Sequence, residues 1–100
     1  MKVDIFNKYA DKVTQLFGIT KEGLFSKSKE RSLVDARYLL FYLCHKRPMS
    51  VSYIQKYMSE NGYDTKHTTI LYGIKVVQER INADNDYQKV AQSIEKSVSI

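Results

Sequence analysis

Residues 50–81 read SVSYIQKYMSENGYDTKHTTILYGIKVVQERI, and the organisation of the chain follows from how they divide. Ser50 precedes an apolar-periodic run of Val51, Ile54, Tyr57 and Met58, in the position of a helix cap. Asn61-Gly62 stops that run. Asp64 or Thr65 is the expected cap of a second helix, whose Ile70, Ile74, Val77 and Ile81 make a clean stripe. Two helices across a short Asn-Gly-bearing turn have the form of a helix-turn-helix. In that motif the second helix enters a DNA major groove and its N-terminal residues touch bases. Lys66, His67, Thr68 and Thr69 hold that place here. Thr methyls can meet thymine methyls, and His and Thr can hydrogen-bond to base edges. A helix N-terminus also attracts phosphate through its free N–H groups and dipole. Ser and Thr open many helices that bind nothing, so the weight falls on the rest of the chain.

Working outward, the pattern predicts an all-α fold of five helices. The first runs from about Asp4 to Phe17, with Phe6, Tyr9, Ala10, Val13 and Phe17 at helical spacing and Gly18 as its stop. A loop with Leu24 and Phe25 follows, then a polar, basic and aperiodic stretch from Ser26 to Ser32. The second helix spans about Ser32 to Lys46. Apolar groups cover more than half its circumference, as a central helix requires, and Pro48 ends it. The third and fourth form the motif. The fifth runs from about Asp84 to Val98. No stretch alternates long enough for a strand.

One hundred residues predict one domain, 1–100, with no room for a separate ATPase or catalytic module. The formal charge of +5 fits a polyanionic partner. Its distribution says more: residues 26–48 carry Lys27, Lys29, Arg31, Arg37, Lys46 and Arg47 against Glu30 and Asp35, a local +4, while the segment from Asp84 is slightly acidic. Cys44 is the single cysteine and sits among apolar residues, which fits a reducing cytoplasm. No apolar run approaches a membrane span and no signal-peptide pattern opens the chain. There is no zinc spacing, no Gly-rich phosphate loop and no Cys–His–Asp set, and His45 and His67 lie far apart, so no enzyme, metal, cofactor or nucleotide site is expected. Of the eight tyrosines, Tyr9, Tyr38, Tyr42 and Tyr57 fall on or near apolar faces; Tyr63 and Tyr72 are harder to place.

In its ordered set of pieces the sequence resembles the C-terminal DNA-binding domain of the bacterial replication initiator DnaA, over nearly the whole chain. The set is a first amphipathic helix, the basic segment Lys27-Ser28-Lys29-Glu30-Arg31-Ser32, Ala36-Arg37 opening an apolar helix, Ser50 and Ile54, and His67-Thr68-Thr69-Ile70 followed by Ile74. The resemblance implies a Trp-repressor-like helix-turn-helix fold and sequence-specific binding of double-stranded DNA without chemistry, in replication or its regulation. It implies base contacts from Lys66, His67, Thr68 and Thr69. It places Lys29 at a minor groove, with Lys27 and Arg31 nearby. Backbone contacts are implied for Arg37, for His45 or Lys46, and for Ser50 and Ser52 at the start of the first motif helix.

Three departures stand beside the likeness. Lys66 replaces the family's usual Asp, exchanging an acceptor suited to cytosine N4 for a donor suited to guanine O6 or N7. Asn61-Gly62-Tyr63-Asp64-Thr65 replaces a Gly-rich turn, and the interval from Ile54 to His67 is about one helical turn longer. The family's ATPase domain is absent from these 100 residues, so the chain is either an excised domain or a stand-alone relative of the kind a phage or mobile element carries; the opening Met1 favours the second, and a monomer in a bacterial cytoplasm is expected. The competing expectation is a protein-interaction module that binds a host replication or transcription factor. Salt dependence separates the two, because phosphate binding weakens steeply with added salt.

Overall fold

The computed structural model describes residues 1–98, and among them there are six helices and no strand. They are α1 (Lys2–Phe17), α2 (Lys21–Leu24), α3 (Arg31–Lys46), α4 (Val51–Glu60), α5 (His67–Ala83) and α6 (Asn85–Ser97). The expected all-α helix-turn-helix architecture is present, with one helix more than the five that periodicity indicates. The additional helix is a single turn. Thr20 Oγ accepts from the Gly23 N–H at 3.0 Å, and only Leu24 of its four residues is buried. Four residues barely exceed one helical period, so no stripe announces them.

The breadth of α3's apolar surface has the expected consequence. Leu33, Ala36, Leu39, Leu40, Phe41, Tyr42, Leu43 and Cys44 are all buried, and α3 packs against α1, α2, α4, α5 and α6. Burial pushes the Cys44 thiol far above its ordinary pKa, so it stays neutral and inert. The stripe of α5 buries Ile70, Gly73, Ile74 and Val77 against α3 and α4. α3 packs tightly on α5 at Gly73, where an added Cβ would lie 2.6 Å from Tyr38 Cδ1.

Helix ends follow their side chains. Gly18 closes α1 in the left-handed conformation at φ 63°, and Asn61-Gly62 ends α4 with Gly62 at φ 91°. Ser50 Oγ accepts from the Tyr53 N–H at 3.2 Å and caps α4 as expected. Asp84 Oδ1 caps α6 through the Asp86 and Tyr87 N–H groups. The cap of α5 differs from expectation. It is Lys66, with no side-chain bond, and neither Asp64 nor Thr65 serves. Asp64 Oδ1 accepts instead from Ser59 Oγ, and the Thr65 carbonyl accepts from Gln55 Nε2 at 2.8 Å. Both bonds tie the turn back to α4. At the far side α6 is strapped down by Tyr9 Oη donating to the Glu95 carbonyl and Arg47 Nη1 donating to the Val98 carbonyl.

Candidate nucleic-acid interface

The first turn of α5 stands clear of the body. Lys66, His67, Thr68 and Thr69 are all exposed, while Ile70, next in line, is fully buried. Helical geometry accounts for the contrast, because the buried stripe begins at Ile70 and the preceding turn projects beyond it. Thr68 lies in that first turn, where its side chain is free to approach a partner.

The basic segment packs beside this helix. Lys27 and Lys29 line a surface cleft with Gly62, Tyr63 and Asp64, the turn of the motif. Lys29 and Arg31 line a second cleft with Tyr38, Tyr72 and Val76, along one side of α5. Chain-distant cations and the motif thus form one continuous surface. Lys27, Lys29 and Arg31 are exposed.

Arg37, expected to touch DNA backbone, does something else. It is 2 % exposed. Its Nε donates to the Leu24 carbonyl at 2.7 Å, Nη1 to the Ser28 carbonyl at 2.8 Å, and Nη2 to the Ser26 and Gly23 carbonyls at 2.6 and 3.3 Å. The Tyr63 ring covers the guanidinium at 4.6 Å from its centroid. A buried cation is costly unless its donors are satisfied. Here they are satisfied by the loop itself, so Arg37 fixes the shape of the basic segment and, through Tyr63, its position against the motif's turn. It has no surface left for phosphate.

The remaining expected backbone residues divide. Ser50 and Ser52 are exposed at the start of α4, and Ser50's acceptor is engaged in its cap. His45 is exposed with Nδ1 3.3 Å from the Met49 carbonyl, beside that same helix start. Lys46 lines a groove with Tyr42, Gln78, Ile81 and Glu95, at the opposite end of α3 from the basic segment. A 16-residue helix is about 24 Å long, so Lys46 is not brought together with Lys29.

Helix-end charge marks the same face. Acids stand in the first turns of α1 (Asp4), α2 (Glu22) and α6 (Asp86), where they complement the helix dipole. The first turns of α3, α4 and α5 hold none. Arg31 opens α3 behind an acidic cap residue, Glu30, whereas Lys66 and His67 open α5 with no acid at its cap or in its first turn, placing basic side chains at a positive helix end. That arrangement is unfavourable alone and favourable once an anion binds.

Two residues of this surface escape a reading of motifs. Gln55 holds the turn through Thr65, and Tyr72 stands exposed one helical turn beyond Thr68. The i, i+4 spacing from Thr68 to Tyr72 was a visible signal for the second; nothing local marks the first. Among the described residues no group of three His, Cys, Asp or Glu side chains could hold a metal ion. No described helix is long and apolar enough to cross a membrane.

The family described as "Bacterial dnaA protein helix-turn-helix" matches residues 7–77, which hold α2 to α4, most of α1 and the first eleven residues of α5. Among curated proteins the chain is similar to the Chromosomal replication initiator protein DnaA 1 of Chlamydia pneumoniae, 24% identical over 88 residues. It is also similar to the Chromosomal replication initiator protein DnaA of Jannaschia sp. (strain CCS1), 28% identical over 87 residues. Each match covers 87% of this chain and 18% of the relative, so the chain spans under a fifth of the length of these proteins.

Proposed function

The chain belongs to the bacterial DnaA helix-turn-helix family, and from that membership we propose that it binds double-stranded DNA sequence-specifically, in replication or its regulation. The observation that carries the reading is the placement of Lys27, Lys29 and Arg31 in clefts with the motif's turn and with the side of α5, the helix whose first turn is exposed.

On this reading α5 enters the major groove with Lys66, His67, Thr68 and Thr69 toward base edges. The basic segment, shaped by Arg37, reaches the adjacent minor groove with Lys29 foremost and Lys27 and Arg31 on phosphate. The start of α4, with Ser50, Ser52 and His45, meets the backbone on the other flank. Phosphate contacts set register and affinity, and base contacts choose the site. Residues 1–100 act as one binding unit and supply recognition rather than catalysis. Lys66 in place of the family's Asp shifts preference at one base toward guanine.

The deciding experiment is a titration of the protein with duplex DNA across salt concentrations, followed by selection of bound duplexes from a random library. Log K is expected to fall linearly with log salt, by roughly 0.9 for each phosphate neutralised, and the selection to converge on one site. A flat salt response with no converged site points instead to the interaction-module alternative.

A further inference from the structure

We propose that Tyr72, propped by Tyr38, donates its phenol to the sugar-phosphate strand between the groove that α5 reads and the groove that the basic segment reaches. The inference rests on the duplex-binding reading above. Tyr72 is 60 % exposed, more than Tyr53 at 42 %, while Tyr9, Tyr42 and Tyr57 are buried. It lies three and four residues beyond Thr69 and Thr68, so it continues their face of the helix. Across a cleft from it stand Lys29 and Arg31. It therefore occupies the boundary between the base-reading turn and the minor-groove cations. On a duplex, what runs between two adjacent grooves is a phosphate strand.

The position of the ring is built rather than incidental. Tyr72 meets Tyr38 in an edge-on contact, centroids 6.0 Å apart at 82°. Tyr38 in turn lies over Gly73, where a Cβ would come within 2.6 Å of its ring and 3.1 Å of Phe41 Cδ2. A glycine in mid-helix is less favourable than alanine, and this one makes room for the prop. Asp35 lines the same cleft, but its carboxylate is paired with Arg80 at 3.1 Å, leaving the lysine and arginine of the opposite wall to set the local field. A phenol donates to a phosphate oxygen without a charge of its own. It thus adds hold and orientation without adding to the salt dependence.

The test compares the unchanged protein with Tyr72→Phe and Gly73→Ala by fluorescence anisotropy. The probes are a fluorescent mixed-sequence duplex and the corresponding single strand, each at several salt concentrations. Tyr72→Phe keeps the ring and loses only the hydroxyl. It is expected to weaken duplex binding about tenfold, the size of one hydrogen bond to a charged acceptor, with the salt slope unchanged. Gly73→Ala, which crowds Tyr38, is expected to weaken binding in the same direction with the Tyr72 hydroxyl intact. Tyr72→Phe binding as tightly as the unchanged protein overturns the inference while leaving the duplex-binding reading standing. So does a loss confined to particular base sequences, which makes Tyr72 a base reader. A preference for the single strand that survives Tyr72→Phe makes the ring a stacking platform and also overturns it. Failure of the unchanged protein to bind duplex removes both.

Discussion

The basic segment (residues 26–31) and the opening turn of α5 (residues 66–69) share one face of the molecule, and they are ordered by opposite means. The first has no periodicity of its own and is held from beneath by one buried cation, Arg37, whose guanidinium reaches the carbonyls of Gly23, Leu24, Ser26 and Ser28. The second needs no such scaffold. It extends a helix anchored by Ile70 and Ile74 and carries no side-chain cap at all. Local turns add to the order of the basic segment, with Ser26 Oγ accepting from the Ser28 N–H and Ser28 Oγ from the Glu30 N–H, but one guanidinium gathers four carbonyls, and order concentrated in one residue is fragile to one substitution. Order inherited from a helix spreads over many contacts and leaves each exposed residue free to change.

The largest effect expected from this contrast lies at Arg37. Arg37→Met keeps much of the side-chain bulk but removes every donor, stranding the buried Leu24 carbonyl and leaving the part-buried Ser26 and Ser28 carbonyls without the guanidinium; a buried carbonyl left unpaired costs about 1–3 kcal/mol. Partial hydration offsets some of that, and a net loss on the order of 3 kcal/mol is expected from urea denaturation. Arg37→Lys should recover less than half, since an ammonium cannot reproduce the planar fork. Affinity for every duplex should fall alongside. A loss below about 1 kcal/mol would mean that the segment holds its own shape, and the contrast with α5 would vanish.

The same contrast explains what was legible in the sequence. The helices that carry the fold announce themselves because Ile70, Ile74 and Val77, or Phe6, Tyr9 and Val13, repeat at the period of the surface they bury. Lys66 to Thr69 are legible as a site because position in the motif places them. Residue type alone puts Arg37 at the surface, whereas its burial depends on carbonyls that converge only in three dimensions. The α5 cap departs from the sequence for a like reason: Asp64 and Thr65 have capping side chains, but Ser59 and Gln55 from α4 draw both residues into the turn. α2 is too short to show a period. Lys46 shares a helix with Arg31 and Arg37, and only the length of that helix separates it from their end of the molecule.

On the helix side of the comparison, effects should be selective. His67→Ala or Thr68→Ala is expected to cost about 1–3 kcal/mol on the preferred duplex, the range of a good base contact, with thermal stability and non-specific binding little changed. Lys66→Asp should move preference at one base pair, from guanine toward cytosine on the contacted strand. Binding each variant to the selected site and to its single-base variants at fixed salt reads both effects. Base profiles that match the unchanged protein for all these variants would leave α5 as a scaffold like any other helix, and specificity would have to reside in the segment instead.

The smallest effect, and the sharpest in kind, belongs to Lys29. It is exposed, it lines the clefts on both sides of the segment's tip, and nothing in its surroundings depends on it for order. Removing it should therefore leave stability untouched, in contrast to Arg37, and leave base preference untouched, in contrast to His67. What it changes is electrostatic. Each phosphate neutralised by a cation releases counterions, so Lys29→Ala should weaken preferred and mixed-sequence duplexes by the same factor and lower the slope of log K against log salt by about one. The loss should shrink as salt rises, because the released ions then gain less entropy. Arg31→Ala is the natural comparison, and a reduction near one for each, adding to about two in the double variant, would place both on separate phosphates. An unchanged slope for Lys29→Ala would take the tip of the segment off the DNA, and the buried Arg37 would then be shaping a loop for some other purpose.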